Sequence, residues 1–196
     1  MAKRLFKTQN IPSEGIILGL LEFNSIANGI KAFDAMVKTA PINILDARTI
    51  SPGNYLTIFS GDVASVEESV KKGLEVGQNN VIDSLIIQNL HSQIIPAMLS
   101  LAKVDKLNAM GIIETKTVAS AIISADQACK TSNVSLLELR LANGLGGKSF
   151  SIFIGELYEV ESSMEKAIQS IYLDKNLLYT AIIPSPHEDL KDFFLP

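Results

Sequence analysis

The sequence predicts an α+β fold built from two copies of one βαββαβ unit, each an antiparallel sheet with its helices on one face and a terminal helix after the last strand. Three observations predict it. The chain repeats itself: Gly19-Leu20-Leu21-Glu22 returns as Gly111-Ile112-Ile113-Glu114, residues 36–45 return as 128–137, and Arg48 returns as Arg140. The shift there is constant at 92, from 22 to 114 and from 48 to 140. It then grows to 94 between Gly61 and Gly155, and to 96 between the only two histidines, His91 and His187. Length changes of this kind fall in loops, because packed elements do not tolerate them. Within each copy, apolar runs of strand length alternate with apolar stripes of helical period. Self-similarity over so long a span sets the domain count before any single residue is read.

The elements follow in order. Residues 16–23 form a strongly apolar run, as a buried strand does. Ser25 is an N-cap, and Ile26, Ile30, Phe33 and Val37 line up on one face of the helix after it. Pro41 ends that helix. Strands over 42–48 and 55–60 are joined by Ile50-Ser51-Pro52-Gly53-Asn54, a turn-forming segment. Asp62 caps a second helix carrying Val63, Val66, Val70 and Leu74, which stops near Gly77. A fourth strand covers 81–88, and a short helix covers 94–101. The second copy predicts a strand over 109–114, a helix over 117–131 and a strand over 134–141. The loop Asn143-Gly144-Leu145-Gly146-Gly147-Lys148 leads into a strand over 149–154. A helix over 156–172 and a strand over 178–183 complete it. An antiparallel sheet with helices on one face is the compact solution for this order. The expected division is a tail over 1–14, a first domain over 15–105 and a second over 106–196.

Composition narrows the function classes. Apolar residues make up 47% of the 196 and charged residues 19%. That apolar excess on small domains predicts surface that partners cover. No apolar stretch reaches the ~18 residues of a membrane span, so no membrane is expected as partner. The basic start of the chain lacks the apolar core of a signal peptide. A net charge of −4 argues against nucleic acid as partner. The single cysteine, Cys129, excludes an intrachain disulfide and fits a reducing cytosol. It takes the place of Val37 in the repeat and reads as a small buried hydrophobe.

The candidate chemistry is thin. The glycine loop at 143–148 fails as a phosphate loop, since Gly147-Lys148-Ser149 leads into a strand where that motif needs a helix. Its glycines suit a tight hairpin approached closely by another backbone. His91 and His187 are too isolated for a metal site and read as polar packing at a strand end or subunit edge. Glu22 and Glu114 close equivalent strands and read as structural hydrogen bonds or edge contacts. Lys38 and Lys130 sit near the ends of matching helices, where the helix dipole favours a cation. No catalytic triad order, paired-cysteine motif or nucleophile elbow is present, so no catalytic residue is expected.

Taken together, the runs Gly-Ile-Ile-Glu-Thr-Lys at 111–116, Ala-Asp-Gln-Ala-Cys-Lys-Thr-Ser-Asn-Val at 125–134, Gly-Gly-Lys at 146–148 and Ile-Pro-Ser-Pro-His at 183–187 resemble the bacterial microcompartment shell domain. The first copy carries the related Gly-Leu-Leu-Glu-Phe, Phe-Asp-Ala-Met-Val-Lys-Thr-Ala and Ser-Gly-Asp-Val. The resemblance spans residues 15 to about 190 in both copies, in the non-permuted element order and with a ferredoxin-like outline. It is similar to the tandem shell proteins of the propanediol-utilisation type.

The resemblance implies a homotrimer that mimics a hexamer, tiles a polyhedral shell in the cytoplasm with other shell proteins, and is not an enzyme. It places the loop after the second strand at a central pore. Ile50, Ser51, Pro52 and Gly53, with Asn143, Gly144, Leu145, Gly146 and Gly147, would then line an opening for small polar metabolites. Lys38, Lys130, His91 and His187 match edges where tiles meet, although Ser185 stands where many relatives have Arg. The propanediol-type protein ligates an iron–sulfur cluster through a cysteine where this chain has Ser51. A hydroxyl is a poor substitute for a thiolate, so no cofactor and no metal are expected. The alternative is a pore-associated module that carries a metal cluster or gates on a metabolite.

Overall fold

The computed structural model describes residues 15–102, 104, 106–173 and 175–194, with Lys191 and Asp192 described by their backbone alone. The tail expected over 1–14 and linker positions 103 and 105 lie outside the described residues. The chain divides into two compact units between Leu90 and His91.

The first unit runs β1 (Ile17–Phe23), α1 (Ile26–Thr39), β2 (Asn43–Ile50), β3 (Asn54–Gly61), α2 (Val63–Gly77) and β4 (Val81–Ile87). The sheet order is β2-β3-β1-β4, with every neighbouring pair antiparallel. Alternation along β1 sends Leu21 and Phe23 towards the helices, where they pack with Ala32, Met36, Phe59, Val66 and Val70. Both helices start on side-chain caps. Ser25 Oγ accepts from the Asn28 N–H at 3.3 Å, and Asp62 Oδ1 from the Ser65 N–H at 2.8 Å. The Ser65 backbone bond holds the Asp62 carboxyl below its ordinary range.

The sheet and its helices approach closely through glycine. A Cβ on Gly19 would lie 2.5 Å from Phe59 Cε2, and one on Gly29 would lie 2.7 Å from Tyr55 Cβ. Because α1 packs inward through Gly29, Ala32 and Met36, the apolar positions Ile26, Ile30 and Val37 face outward. Of the predicted face, Phe33 packs against the core of its own unit, whereas Ile26, Ile30 and Val37 are exposed.

The second unit begins with α3 (Ile94–Met98) and continues β5 (Ala109–Thr115), α4 (Val118–Thr131), β6 (Ser135–Leu141), β7 (Ser149–Gly155), α5 (Leu157–Ile171) and β8 (Leu177–Ile183). A 3-10 turn at Glu188–Leu190 and α6 (Lys191–Phe194) follow. The sheet order, β6-β7-β5-β8, repeats the first. Even the irregularities repeat: register shifts fall between Ile44 and Asp46 and between Leu136 and Glu138. One face of this sheet carries Met110, Ile152 and Ile154, against which Leu107, Leu190 and Phe194 pack.

The short helix expected to close the first copy is α3, and it packs on β6 and α4 of the second unit. The packing boundary therefore falls at Leu90/His91, earlier than the 105/106 boundary that the repeat suggests. The physical cause is the edge of β6. An edge strand presents unpaired N–H and C=O groups, and the segment after Leu90 supplies partners for them.

Candidate functional site

The first candidate region is the pair of hairpin loops. In the β2–β3 loop, the Gly53 N–H donates to the Ile50 carbonyl at 3.0 Å, and Ile50 pairs with Asn54. Gly53 sits at φ +130 with open space around its Cβ position, so its backbone conformation and not its size requires glycine. The Ser51–Pro52 peptide is cis. Pro52 and Gly53 are exposed and Ser51 is half-buried. Ile50 is only 4% exposed, so its side chain belongs to the core and the loop's surface is residues 51–53.

The β6–β7 loop is longer and more contorted. Ala142, Gly144, Gly146 and Gly147 all have positive φ, and the Lys148 N–H donates to the Leu145 carbonyl at 3.2 Å. Asn143, Gly144 and Gly146 are exposed, and Leu145 and Gly147 are half-buried. Lys148 Nζ lies 3.1 Å from Glu114 Oε2 and 5.3 Å from the Tyr179 ring centroid. Lys148 thus ties the loop's end to the sheet through one ion pair and one ring. Glu114 takes the structural role expected of it, while its counterpart Glu22 is buried.

Each hairpin carries an ion pair that sequence reasoning missed. Arg48 Nε meets Asp46 Oδ2 at 2.6 Å, and Arg140 Nε meets Glu138 Oε1 at 3.2 Å. Arg140 also lies 5.6 Å from the Phe150 ring centroid. The signal was available, since an acid two residues before each arginine shares its face of the strand.

The second candidate region is the end of each first helix. Lys38 Nζ pairs with Asp34 Oδ2 at 2.6 Å, and Lys130 Nζ with Asp126 Oδ2 at 2.6 Å. The geometry is the same and the surroundings differ. The Asp34 side chain is 61% exposed and that of Asp126 is 1% exposed. The segment at 91–98 accounts for part of this, because the His91 N–H donates to Asp126 Oδ1 at 2.9 Å. Gln93 then pairs with the β6 edge twice: Nε2 donates to the Val134 carbonyl at 2.9 Å, and Oε1 accepts from the Leu136 N–H at 2.7 Å.

The structure therefore brings Lys130 and His91 into one cluster. Burial pushes the His91 imidazole below its ordinary pKa, against the upward pull of Asp126 and with the help of Lys130. His187 adopts the same local turn. Its Nδ1 accepts from the Asp189 N–H at 3.3 Å, as His91 Nδ1 accepts from the Gln93 N–H at 3.4 Å. His187 and Asp189 are exposed.

Among the described residues no three His, Cys, Asp or Glu side chains cluster. Cys129 is buried on α4, and burial pushes its thiol up to about 12. The described helices include none long and apolar enough to cross a membrane.

Comparison with known proteins accounts for both units. The BMC domain pattern matches residues 18–90 and 109–186. The chain is 39% identical over 173 residues to the bacterial microcompartment shell protein PduT of Citrobacter freundii, covering 88% of this chain and 94% of that one. A solved microcompartment protein from Desulfitobacterium hafniense is 40% identical, with a TM-score of 0.81 over 91% of this chain and 99% of that chain. The fused permuted shell protein MSM0275 of the RMM microcompartment, 14% identical with a TM-score of 0.62, covers 80% of this chain and 84% of that one and shares the fold.

Proposed function

Since the chain belongs to the BMC domain family and is a shell protein of a bacterial microcompartment, we propose that three copies close into a pseudo-hexameric tile whose six hairpin loops surround a pore. The observation that carries this reading is the doubled unit with unlike loops. Three residues, 51–53, connect β2 to β3, whereas a glycine-rich segment connects β6 to β7. A ring of two alternating loop types has threefold symmetry where a single-domain relative would have sixfold.

The role is structural, with passage of small polar solutes and no catalysis. The loops offer the Ser51 hydroxyl, the Asn143 amide and backbone N–H groups, a polar lining without net charge. Consecutive glycines at positive φ are also the backbone geometry in which main-chain amides can turn towards an anion or water. An iron–sulfur cluster does not fit these residues. Position 51 is a serine, and the one thiol of the chain is buried in α4 and held protonated.

Electron micrographs of the purified protein test the tile. Trimers of hexagonal outline, or sheets of them, are the expected result. Solute flux across assembled shells tests the pore. Ser51→Tyr should slow passage without preventing assembly, and an unchanged flux would remove the loops from the solute path.

A further inference from the structure

The two copies of the unit are equivalent in fold and unequal in cover. On the outward face of α4, Val118, Ile122 and Cys129 are buried; their equivalents on α1, Ile26, Ile30 and Val37, are exposed. The contrast is largest at Ile122, 0% exposed, against Ile30, 50% exposed. Leu136 on β6 is buried and its equivalent Ile44 on β2 is exposed. Asp126 receives the His91 N–H, whereas Asp34 is bonded to Lys38 at the surface. Residues 91–98 clasp the second unit, and nothing described clasps the first in that way.

The chain carries the missing piece at 187–194. Residues 91 and 187 correspond, and the histidine turn has the same hydrogen bond in both places. One side of the later segment is already seated, with Leu190 and Phe194 against the sheet of the second unit. The other side is bare. His187 and Asp189 are exposed, and so is Phe193, at the position where the earlier segment has the buried Ala97. An 81% exposed phenylalanine beside a preformed turn is the kind of apolar surface that partners cover.

We propose that residues 187–194 of one copy dock on α1 and the β2 edge of a second copy, repeating between chains the clasp that 91–98 makes within one. The proposal rests on the self-assembly proposed above and names the contact that produces it. Asp34 accepts the His187 N–H, as Asp126 accepts that of His91. Asp189 stands where Gln93 stood, facing the N–H of Ile44 and the carbonyl of Ile42. There the copies differ in chemistry. Gln93 both donates and accepts, but a carboxylate only accepts. Asp189 takes the Ile44 N–H and leaves the Ile42 carbonyl without its donor, so the clasp between chains is the weaker of the two. A head-to-tail contact of this kind, made by different surfaces on the two partners, closes into a ring when its rotation permits.

Sedimentation equilibrium and amide exchange on the full chain test this. Asp189→Gln should tighten association by about tenfold per contact, the effect of one net hydrogen bond. Asp34→Ala should weaken it by about as much or more, with an unchanged circular dichroism spectrum because Asp34 lies at the surface. The Ile44 amide should exchange slowly in the assembled protein and quickly in dilute chains. If the wild type assembles and both variants associate as it does, the clasp is overturned and the shell role stands. If the wild type stays monomeric at every concentration, both fall together.

Discussion

Cys129 and His91 show how a single side chain's environment sets its chemistry. Cys129 is buried and its thiol is raised to about 12, so almost none of it is thiolate at neutral pH. A thiol-reactive dye should therefore label the native protein orders of magnitude more slowly than the urea-unfolded chain; equal rates would mean that α4 opens freely. His91 is shifted the other way, towards its neutral form, because burial penalises the cation. Below its ordinary pKa of ~6.5 the unfolded chain takes up a proton that the folded chain refuses, so stability falls as pH falls. His91→Gln should flatten that acid slope below about pH 6.5, measured as urea midpoints above and below that pH. Sequence reading took Cys129 for a small buried hydrophobe, and it is buried; it took His91 for polar packing at a strand end or subunit edge, and the backbone N–H of His91 is bonded to Asp126. It could not see Asp126, whose burial depends on a segment 35 residues earlier in the chain.

At the scale of elements, what the sequence shows best are the starts, stops and turns, because those depend on near neighbours. Ser25, Asp62 and Thr117 cap the helices, Pro41 follows the end of α1, and Gly53 takes the positive φ that its turn requires. Packing direction was harder to read. The stripe Ile26, Ile30, Phe33, Val37 has the period of a core-facing helix, yet of its four residues Phe33 alone packs on the core, and α1 buries Gly29, Ala32 and Met36 instead. A helix with small residues inward and large ones outward approaches its sheet closely and keeps its apolar bulk for another surface. Gly19, on β1, tests a second close approach, that of the sheet to α2. A methyl group there would sit 2.5 Å from Phe59 Cε2 and 3.0 Å from Val66 Cγ1, well inside contact distance. Gly19→Ala should destabilise the protein by about 1–3 kcal/mol, the usual range for overpacking, seen as a lower urea midpoint with the fold retained.

At the scale of the whole molecule, the repeat in sequence and the unit in space are cut at different places, and the difference can be measured. The repeat divides the chain near 105/106, while the packing divides it after Leu90. A fragment beginning at 106 keeps every strand and long helix of the second unit but lacks residues 91–98. It loses the two bonds from Gln93 to the β6 edge and the bond from the His91 N–H to Asp126, each worth about 1 kcal/mol net. It also uncovers the surface on which Ile94, Ile95 and Met98 are buried, at roughly 1.5–3 kcal/mol per side chain. Asp126 would then be paired with Lys130 alone. Domains of this size are stable by only about 5–15 kcal/mol. A fragment over 91–196 should therefore unfold cooperatively in urea, and one over 106–196 should be largely unfolded or show a far lower midpoint. Matching midpoints would place the folding boundary where the repeat places it and make α3 a passive appendage.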